Sequence, residues 1–433
     1  MDQKQVNQKL FSMLKRGVSP FHVVNYAQEQ LEEAGFKPLN MTETWGIENG
    51  GTYYINHNDS TLIAIRVGEK INFQSSFRIA AGHTDVPCLS LKPNPEINAN
   101  GYQQVNVEVY GGAILNTWLD RPLSIAGKVA LRSENPFKPE IRLFDAKDKI
   151  LYIPNLAIHM NREVNKGVEL KKQSHMLPMV GMVKEKLEEK NFMMKYLAKK
   201  LKCKVDDILD YELFVYCADE PEFVGIDKEF ISSPRLDDLT SVQAMISAII
   251  EGGDDESIQI AYLANHEEIG SRTKQGAASM LLNHVLEKLM MALGRTPEQT
   301  LQMMYGSILL SMDVAHALHP SYAGKMDVTN KPVMNKGFII KEACSQSYAT
   351  DCEAVAIIRQ LCDEQNIPYQ KFVNNSDAAG GGTLGSIASA LLPVKTIDVG
   401  VPMLAMHSAR ECMGSKDQKA FYDLTKAFFS RRG

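Results

Sequence analysis

Histidine and carboxylate residues follow four short apolar stretches of the sequence, where they could take part in chemistry. The stretches are FRIAAGH, SIQIAYLA, ILLSMDVA and KTIDVGV, and their near-continuous apolar character is typical of buried parallel strands. Because ligands of open α/β sheets gather outside the carboxyl ends of the strands, we expect these side chains to converge. They are His83, Asp85, Glu267, Glu268, Asp313 and His407, together with Asp237 at the start of a predicted helix.

The residue types at these positions suit a pair of divalent metal ions. Two imidazoles and three of the five carboxylates would supply mixed nitrogen and oxygen ligands, which favour zinc or a neighbouring first-row metal over magnesium. Two ions roughly 3.5–4 Å apart require a bridging carboxylate and a bridging water, and a further carboxylate must take the proton of that water. Glu267 and Glu268 are adjacent, so one can face a metal while the other faces the water.

Each residue also has an ordinary structural explanation when it is taken alone. His83 could belong to a polar surface pair, and Asp237 with Asp238 could complement the dipole at a helix N-terminus. Asp313 could be a hydrogen-bonded core residue, because an unpaired buried carboxylate is costly. His407 could be a buried histidine with no ligand role. The metal centre is favoured because all of these residues occur together at predicted strand ends.

Two motifs near these residues do not carry the chemistry that they first suggest. His266-Glu267 does not begin an H-E-x-x-H zinc motif, because the fifth position is Gly270. The run from Gly380 to Gly385 matches G-x-G-x-x-G but follows NNSDAA rather than an apolar strand, so it is a weak dinucleotide fingerprint. We expect a close backbone approach beside the active site there, and a dehydrogenase built on these glycines is the least favoured function.

The elements that must position these residues fall into two kinds of sequence. Residues 1–90 and 230–433 alternate short apolar runs with amphipathic segments, which predicts a discontinuous α/β catalytic domain with three layers and a largely parallel central sheet. VNQKLFSMLKRG, SPFHVVNYAQEQLEEAG and LDDLTSVQAMISAIIEGG predict three of its helices. Residues 91–229 alternate and turn like β-structure, with a Lys- and Glu-rich helical stretch at 182–204, and predict an inserted β-rich domain.

The bulk composition excludes several classes of protein. The chain has 433 residues, of which 44% are hydrophobic and 23% charged, and its formal net charge of −5 argues against a dedicated nucleic-acid-binding protein. No apolar run approaches the roughly 20 residues of a membrane span, and the polar start MDQKQVNQKL predicts no secretory signal. Seven scattered cysteines without a C-x-x-C pair predict reduced thiols and a cytoplasmic location.

Seven stretches spread over nearly the whole chain carry a resemblance to a known family. They are AAGHTDVPCLSLKP, GGAILNTWLDRPLSIAGKV, LAIHMNREVN, SPRLDDLTSV, NHEEIGSRTKQGA, SMDVAHALHPSYAGK and LAMHSARE. In this order they resemble the aspartyl aminopeptidase family, the M18 metallopeptidases that include yeast vacuolar aminopeptidase I. The resemblance implies a metalloaminopeptidase that removes N-terminal residues, preferably acidic Asp or Glu, with water activated at two divalent ions.

The resemblance also implies a role for each matched residue. Glu267 would be the general base that takes the proton of the bridging water and returns it to the leaving amine. Asp85 would orient the ring of a metal-binding histidine. Zinc is the expected metal, and cobalt or manganese could occupy the same sites. The implied ligands are His83 and Asp313 for one ion, Glu268 and His407 for the other, and Asp237 as the bridge.

Assembly and substrate recognition follow from the resemblance in the same way. The family forms tetrahedral dodecamers built from dimers, and the inserted β-rich domain would make the dimer contacts. His159 would reach the active site of a neighbouring subunit, with a buried interface histidine as the alternative, and His316 would lie near the substrate pocket. An acidic preference also requires a cation, and we include Lys336 in the predicted substrate-binding set. The candidate cations are Lys325, Lys331, Lys336 and Lys341.

Some positions depart from the family pattern. Val86 stands where Ser is common, Ser321 stands where Asn is common, and the loop from Ala379 to Gly382 lacks the usual Cys-Gly pair. These differences spare the metal ligands but bear on the substrate pocket, so a preference for neutral N-terminal residues stays open. Two other functions also stay open: a two-metal N-acyl amino acid deacylase or carboxypeptidase-like hydrolase on the same scaffold, and a non-catalytic assembly protein that retains the scaffold.

Overall fold

The chain divides into two structural units. The structure is a computed structural model that describes residues 1–72, 74–183 and 191–431. The first unit comprises Met1–Asp85, Pro221–Met406 and Glu411–Gly433, and the second comprises Val86–Glu220 with the short segment His407–Arg410. The boundaries predicted from the sequence are residues 90 and 229, with residues 407–410 in the catalytic domain, whereas in the structure these four residues group with the inserted unit.

Helices occupy the amphipathic segments of the chain. In the described ranges they are α1 (Gln3–Arg16), α2 (Pro20–Glu33), α3 (Lys172–His175), α4 (Phe192–Leu201), α5 (Leu236–Glu251), α6 (Leu281–Ala292), α7 (Pro297–Tyr305), α8 (Cys352–Gln365), α9 (Leu384–Leu391) and α10 (Asp417–Ser430). The three helices predicted for the catalytic domain correspond to α1, α2 and α5. The helical stretch predicted at 182–204 contains α4, and its residues 184–190 lie outside the described residues.

Strands account for most of the remaining regular structure. Among the described residues they are β1 (Lys37–Pro38), β2 (Thr52–His57), β3 (Thr61–Val67), β4 (Phe77–His83), β5 (Cys88–Ala99), β6 (Tyr102–Tyr110), β7 (Leu123–Leu131), β8 (Glu140–Asp145), β9 (Met179–Met182), β10 (Ile208–Cys217), β11 (Glu222–Val224), β12 (Phe230–Ser233), β13 (Ile258–Ala264), β14 (Ile308–Met312), β15 (Ala315–His316), β16 (Phe338–Lys341), β17 (Tyr369–Phe372), β18 (Lys395–Gly400), β19 (Pro402–Leu404) and β20 (Glu411–Gly414).

The four apolar stretches predicted as buried strands lie side by side in the main sheet of the first unit. Its nine described strands have the order β1-β2-β3-β13-β4-β14-β18-β16-β17. The neighbours β13, β4, β14 and β18 all run parallel, whereas β2–β3, β3–β13 and β16–β18 are antiparallel pairs. The expected largely parallel central sheet is confirmed, and the carboxyl ends of its four central strands share one edge.

Helices cover both faces of this sheet. Successive residues of a strand point to opposite faces, so Ala80 and Leu310 pack on one side while Ile79 and Leu309 pack on the other. The first side is covered by buried apolar residues of α1, α2, α5, α8 and α10, and the second side by residues of α6, α7 and α9. The three-layer α/β arrangement is therefore confirmed.

The second unit is built on an antiparallel sheet of six described strands. Their order is β8-β7-β10-β5-β6-β9, and each neighbouring pair is antiparallel. Val129 and Leu213 are fully buried in its core together with Leu197 of α4. The expected β-rich insertion is confirmed as a separate antiparallel unit, and its role in dimerisation stays a prediction.

A smaller sheet completes the first unit. Its five described strands have the order β11-β12-β20-β19-β15, so it contains the strands that come directly before and after residues 405–410. Across the described part of the chain, no helix combines the length and the apolar character that crossing a bilayer requires.

Candidate metal centre

His83 ends β4 and is the fully enclosed centre of the candidate site. Its side chain is 1% exposed, and its Nδ1 lies 3.0 Å from the carbonyl oxygen of Asp85 and 3.4 Å from Asp85 Oδ1. Its Nε2 lies 3.3 Å from Asp237 Oδ1 and 3.7 Å from Asp313 Oδ1. With Nδ1 donating to Asp85, Nε2 is the nitrogen that would bind a metal between two carboxylates.

Asp85 also fixes the turn that carries the two adjacent glutamates. Its Oδ1 accepts the backbone N–H of Glu267 and its Oδ2 that of Glu268, each at 3.1 Å. The turn forms one 3₁₀ turn over Glu267–Ile269 between two residues of positive φ, His266 and Gly270. The family resemblance predicts only that Asp85 orients the His83 ring, whereas in the structure this one buried carboxylate contacts both the ring and the glutamate turn.

The first turn of α5 contributes two aspartates with different contacts. The backbone N–H of Asp237 donates to Glu411 Oε2 at 3.1 Å, and the peptide bond between Asp237 and Asp238 is cis. Asp238 is fully buried, accepts the backbone N–H of His83 at 3.1 Å, and accepts the Ser241 hydroxyl. Asp238 therefore anchors the end of β4, a role that sequence reasoning missed when it treated this residue only as part of a helix start.

Asp313 follows β14 and lies beside a buried lysine. Its Oδ1 accepts the backbone N–H of Val314, and its Oδ2 lies 3.7 Å from Lys341 Nζ. Lys341 ends β16, is 1% exposed, and donates to the Val314 carbonyl at 3.1 Å. From the sequence, Lys341 is only one of four candidate cations. The sequence feature that could have distinguished Lys341 from the other three lysines is its position at the end of the apolar run FIIK.

The donor atoms of these residues converge closely enough to hold metal ions. Ligand atoms of four buried residues lie within 4.8 Å of one another, and those of His83, Glu267 and Glu268 form a second such group. One imidazole with several carboxylates is a donor set that suits zinc and related first-row metals. The residues of the first unit therefore fit a divalent cation. The four buried residues are His83, Asp237, Asp238 and Asp313.

The electrostatics of the cluster show an excess of negative charge. Burial raises the pKa of Glu267 to about 8, and nearby carboxylates such as Asp313 add to the shift. Burial also raises the pKa of Glu268 well above its usual value, and the charge of Asp237 adds to that shift. Burial lowers the pKa of His83, but the surrounding carboxylates, Asp238 foremost, more than reverse this and leave it well above the usual value. A bound cation would favour the deprotonated carboxylates.

His407 begins the four-residue segment that groups with the second unit. Its Nδ1 lies 3.2 Å from the Gly112 carbonyl oxygen, and its own carbonyl accepts the backbone N–H of Ile114 at 3.0 Å. With Nδ1 donating to Gly112, Nε2 is the nitrogen with which His407 would bind a metal. The same segment is held further along by Thr117, whose hydroxyl oxygen accepts the Ala409 backbone N–H at 2.9 Å.

The predicted substrate-binding residues lie at exposed positions. His159 is exposed in the second unit, within a segment where Leu156, Ile158 and Met160 are also exposed. His316 is exposed at the end of β15, with its ring 5.8 Å from that of Phe372. Lys336 is exposed just before β16, so it lies at the opposite end of that strand from Lys341.

The glycine-rich segment makes a close backbone approach. Gly385 lies in the first turn of α9, where a Cβ would come within 2.5 Å of Ser311 Oγ and 3.0 Å of Asp398 Oδ1. Only a residue without a side chain fits there. The structure thus accounts for this glycine by packing against β14 and β18.

Comparison with known sequences links the whole chain to a single peptidase family. Residues 13–429 match the family described as aminopeptidase I zinc metalloprotease (M18). A relative from Clostridium novyi, named probable M18 family aminopeptidase 2, is 40% identical over 423 residues, which cover 98% of this chain and 98% of the relative.

Solved structures show the same fold over the same extent. A chain in the cryo-EM structure of the Ape4 and Nbr1 complex matches with a TM-score of 0.95 at 32% identity, covering 99% of this chain and 86% of that chain. The S. cerevisiae mApe1 dodecamer matches with a TM-score of 0.84 at 25% identity, covering 99% of this chain and 96% of that one. The similarity therefore extends over nearly all of this chain.

Proposed function

Because this chain belongs to the M18 aminopeptidase family and is a peptidase hydrolase, we propose that it removes N-terminal residues from peptides with water activated at a two-metal centre. The observation that carries the proposal is the convergence of the His83, Asp237, Glu267, Glu268 and Asp313 side chains at the carboxyl edge of four parallel strands. Such a cluster provides both ligands and a separate proton acceptor, which metal-assisted hydrolysis requires.

The ligand assignment follows the family resemblance and the contacts of each side chain. Asp85 and the Gly112 carbonyl orient the two histidine rings through Nδ1, which supports Nε2 ligation in both cases. The nitrogen and oxygen donors favour zinc, with cobalt or manganese as alternatives. We propose His83 and Asp313 as ligands of one ion, Glu268 and His407 as ligands of the other, and Asp237 as the bridge.

Different residues of this chain have different roles in the proposed peptide hydrolysis. The bound ions would polarise the substrate carbonyl and lower the pKa of the attacking water. Glu267 accepts the proton of that water and passes it to the leaving amine nitrogen, while the backbone contact with Asp85 holds Glu267 in place. Asp238 keeps His83 at the end of β4 through the backbone N–H. Recognition of the free α-amino group beside the metals would make the enzyme exo-acting.

A small substrate panel tests this function directly. Aminoacyl substrates of Asp, Glu, Leu and Lys, with one N-acetylated control, are assayed with added metal and again with chelator. We expect cleavage of the free-amine substrates and its loss with chelator. Cleavage of the N-acetylated control alone would replace the aminopeptidase with a deacylase. Activity that survives full removal of metal would overturn the metal-dependent mechanism.

We further propose that the enzyme prefers acidic N-terminal residues and that Lys341 supplies the cation. Of the four candidate lysines, Lys341 is the one whose ammonium the structure places within 4 Å of a carboxylate of the cluster, Asp313. Lys336, which the sequence analysis included in the site, is exposed at the far end of β16. In the proposed mechanism, the N-terminal residue of a substrate lies beside the metal centre, which is at the Lys341 end of β16.

Lys341→Met is expected to reduce the ratio of Asp to Leu cleavage about ten-fold or more, because the substrate carboxylate loses a buried counter-charge. Lys336→Met is the matched control, since it removes the same charge at the exposed end of the same strand. The measurement is kcat/KM for both substrates. If Lys336→Met and not Lys341→Met moves the ratio, the exposed lysine is the specificity residue.

We propose that the protein assembles as a dodecamer built from dimers and that the second unit supplies the dimer contacts. The S. cerevisiae mApe1 structure is a dodecamer, which supports this assembly by similarity. The exposed apolar residues Leu156, Ile158 and Met160 flank His159 in the sequence, and exposed apolar patches are typical of interfaces. His159 would then reach the neighbouring active site. Light scattering measures the assembly mass, and a monomer at micromolar concentration would contradict the proposal.

A cytoplasmic location is the remaining part of the proposal. Among the described residues none of the seven cysteines forms a disulfide bond, and two of them, Cys344 and Cys352, are exposed. Unpaired exposed thiols suit a reducing compartment. Fractionation of cells with an antibody against the protein checks the location, and recovery outside the cytoplasm would contradict it.

A further inference from the structure

Asp398 lies on β18, directly between one residue of β14 and one residue of β16. Its Cα partners are Ser311 on β14 and Lys341 on β16. Residues directly opposite in a sheet project to the same face, and so do residues two apart along one strand. Asp398 therefore shares a face with Ser311 and with Lys341, and the Nζ of Lys341 lies 3.7 Å from Asp313 Oδ2.

The Asp398 carboxylate is fully buried and accepts three hydrogen bonds. The Ser311 hydroxyl donates at 2.6 Å, the Thr383 hydroxyl at 2.5 Å, and the Ala349 backbone N–H at 2.6 Å. Its own backbone N–H donates to Thr350 Oγ1 at 3.0 Å. One side chain thus ties together β14, the segment between β16 and α8, and the residue that precedes α9.

The two segments held by Asp398 also contact each other. The Thr383 backbone N–H donates to the Ser347 carbonyl at 3.2 Å, and a Cβ on Gly382 would lie 3.4 Å from the same oxygen. The glycine-rich segment therefore approaches residues 345–350 closely. Both segments depend on the same buried carboxylate for their position.

The segment before α8 leads directly to the metal centre through Tyr348. The Tyr348 ring is 4% exposed, and its centroid lies 5.2 Å from Lys341 Nζ, within cation–π range. Lys341 Nζ in turn lies 3.7 Å from Asp313 Oδ2. A shift of Ala349, which bonds to Asp398, would move Tyr348 and the lysine that it covers.

We propose that Asp398 is a positioning residue of the peptidase reaction: it holds Tyr348 against Lys341 and so fixes the Lys341 ammonium beside Asp313, where the N-terminal residue of the substrate is held. A buried carboxylate is costly unless it is fully hydrogen-bonded, and a fully satisfied buried network favours one arrangement of its surroundings. The proposal rests on the proposed aminopeptidase function and adds a residue outside the ligand and base set.

Asp398→Asn tests the proposal against a matched control, Asp417→Asn. Asp417 is also fully buried and accepts the backbone N–H groups of Asn335 at 2.7 Å and Gly337 at 3.0 Å, but it holds the loop at the opposite end of β16. Both variants keep the side-chain size and replace one buried carboxyl group with an amide. The readouts are bound metal, Tm, and separate kcat and KM values for Asp and Leu substrates.

We expect Asp398→Asn to raise KM roughly ten-fold and to change the Asp-to-Leu ratio while metal content stays at the wild-type level, because small misplacements of substrate-contacting groups have large kinetic effects. Asp417→Asn is expected to lower Tm without changing KM or the ratio. If Asp398→Asn lowers Tm but leaves KM and the ratio unchanged, the residue is only a structural one and the proposal fails.

Two milder variants decide the question if Asp398→Asn does not fold. Thr383→Val and Ser311→Ala each remove one donor to Asp398 and keep its charge. Each is expected to raise KM about two- to five-fold at unchanged metal content, since one of three bonds is lost. Unchanged KM in both would overturn the proposal. Failure of the proposed function is recognised separately, because wild-type protein with metal would then cleave none of the free-amine substrates.

Discussion

Glu267→Gln is expected to lower kcat by a factor on the order of 10² to 10⁴ while the protein keeps its full metal content. The amide has the size of the carboxylate but cannot accept the proton of the attacking water. Its backbone contact with Asp85 is unaffected, because the Glu267 N–H is the donor in that bond. The measurement combines kcat on the best substrate of the panel with metal analysis of the purified variant.

Glu268→Gln is the matched comparison for this prediction, since it makes the same change one residue later. Because Glu268 is a proposed ligand, the Glu268→Gln variant should lose bound metal together with activity. The Glu267→Gln variant should lose only activity. Wild-type turnover in Glu267→Gln would remove this residue as the base, and metal loss in it would exchange the roles of the two glutamates.

Asp237→Asn is expected to lose bound metal and nearly all activity at once. The proposed bridge needs two charged oxygens, and an amide offers one neutral oxygen acceptor. Removing an outer partner of a metal ligand typically costs roughly 10–100-fold, and removing a direct ligand should cost more. Metal content by mass spectrometry under native conditions, together with kcat/KM, measures both effects.

Asp254→Asn serves as the control for the bridge prediction. Asp254 is also buried and accepts the Glu256 backbone N–H at 3.2 Å, but it comes before β13, at the amino end of the strand whose carboxyl end leads to the glutamates. The Asp254→Asn variant should therefore retain bound metal and activity. An Asp237→Asn protein with wild-type metal content would show that the carboxylate does not bridge, and Asp237 would then be a structural residue of α5.

Much of the fold could be predicted because runs of apolar residues indicate which strands are buried. The stretches around β4, β13, β14 and β18 are mostly apolar, as expected for strands that are covered on both faces. Their common parallel direction then places the residues at their carboxyl ends on one edge. This reasoning was sufficient to bring His83, Glu267, Glu268 and Asp313 to one place, where the structure also has them.

The strand order and the partners of buried polar groups could not be read from the sequence. Asp238 bonds to the backbone of His83, 155 residues earlier, and Asp398 bonds to Ser311, 87 residues earlier. A run such as KTIDVGV shows that Asp398 is in a strand but not which neighbour will face it. Hydrogen bonds of this kind depend on which strands become adjacent.

The sequence by itself determined the family, the α/β class and the residue types of the site, because these depend on local composition and on order along the chain. The tertiary structure alone decided that Lys341 and not Lys336 lies beside Asp313, since both lysines border the same short strand. It also decided that Asp85 holds two elements at once. Such contacts join segments that are distant in sequence, and the packing of the sheet and its helices sets them.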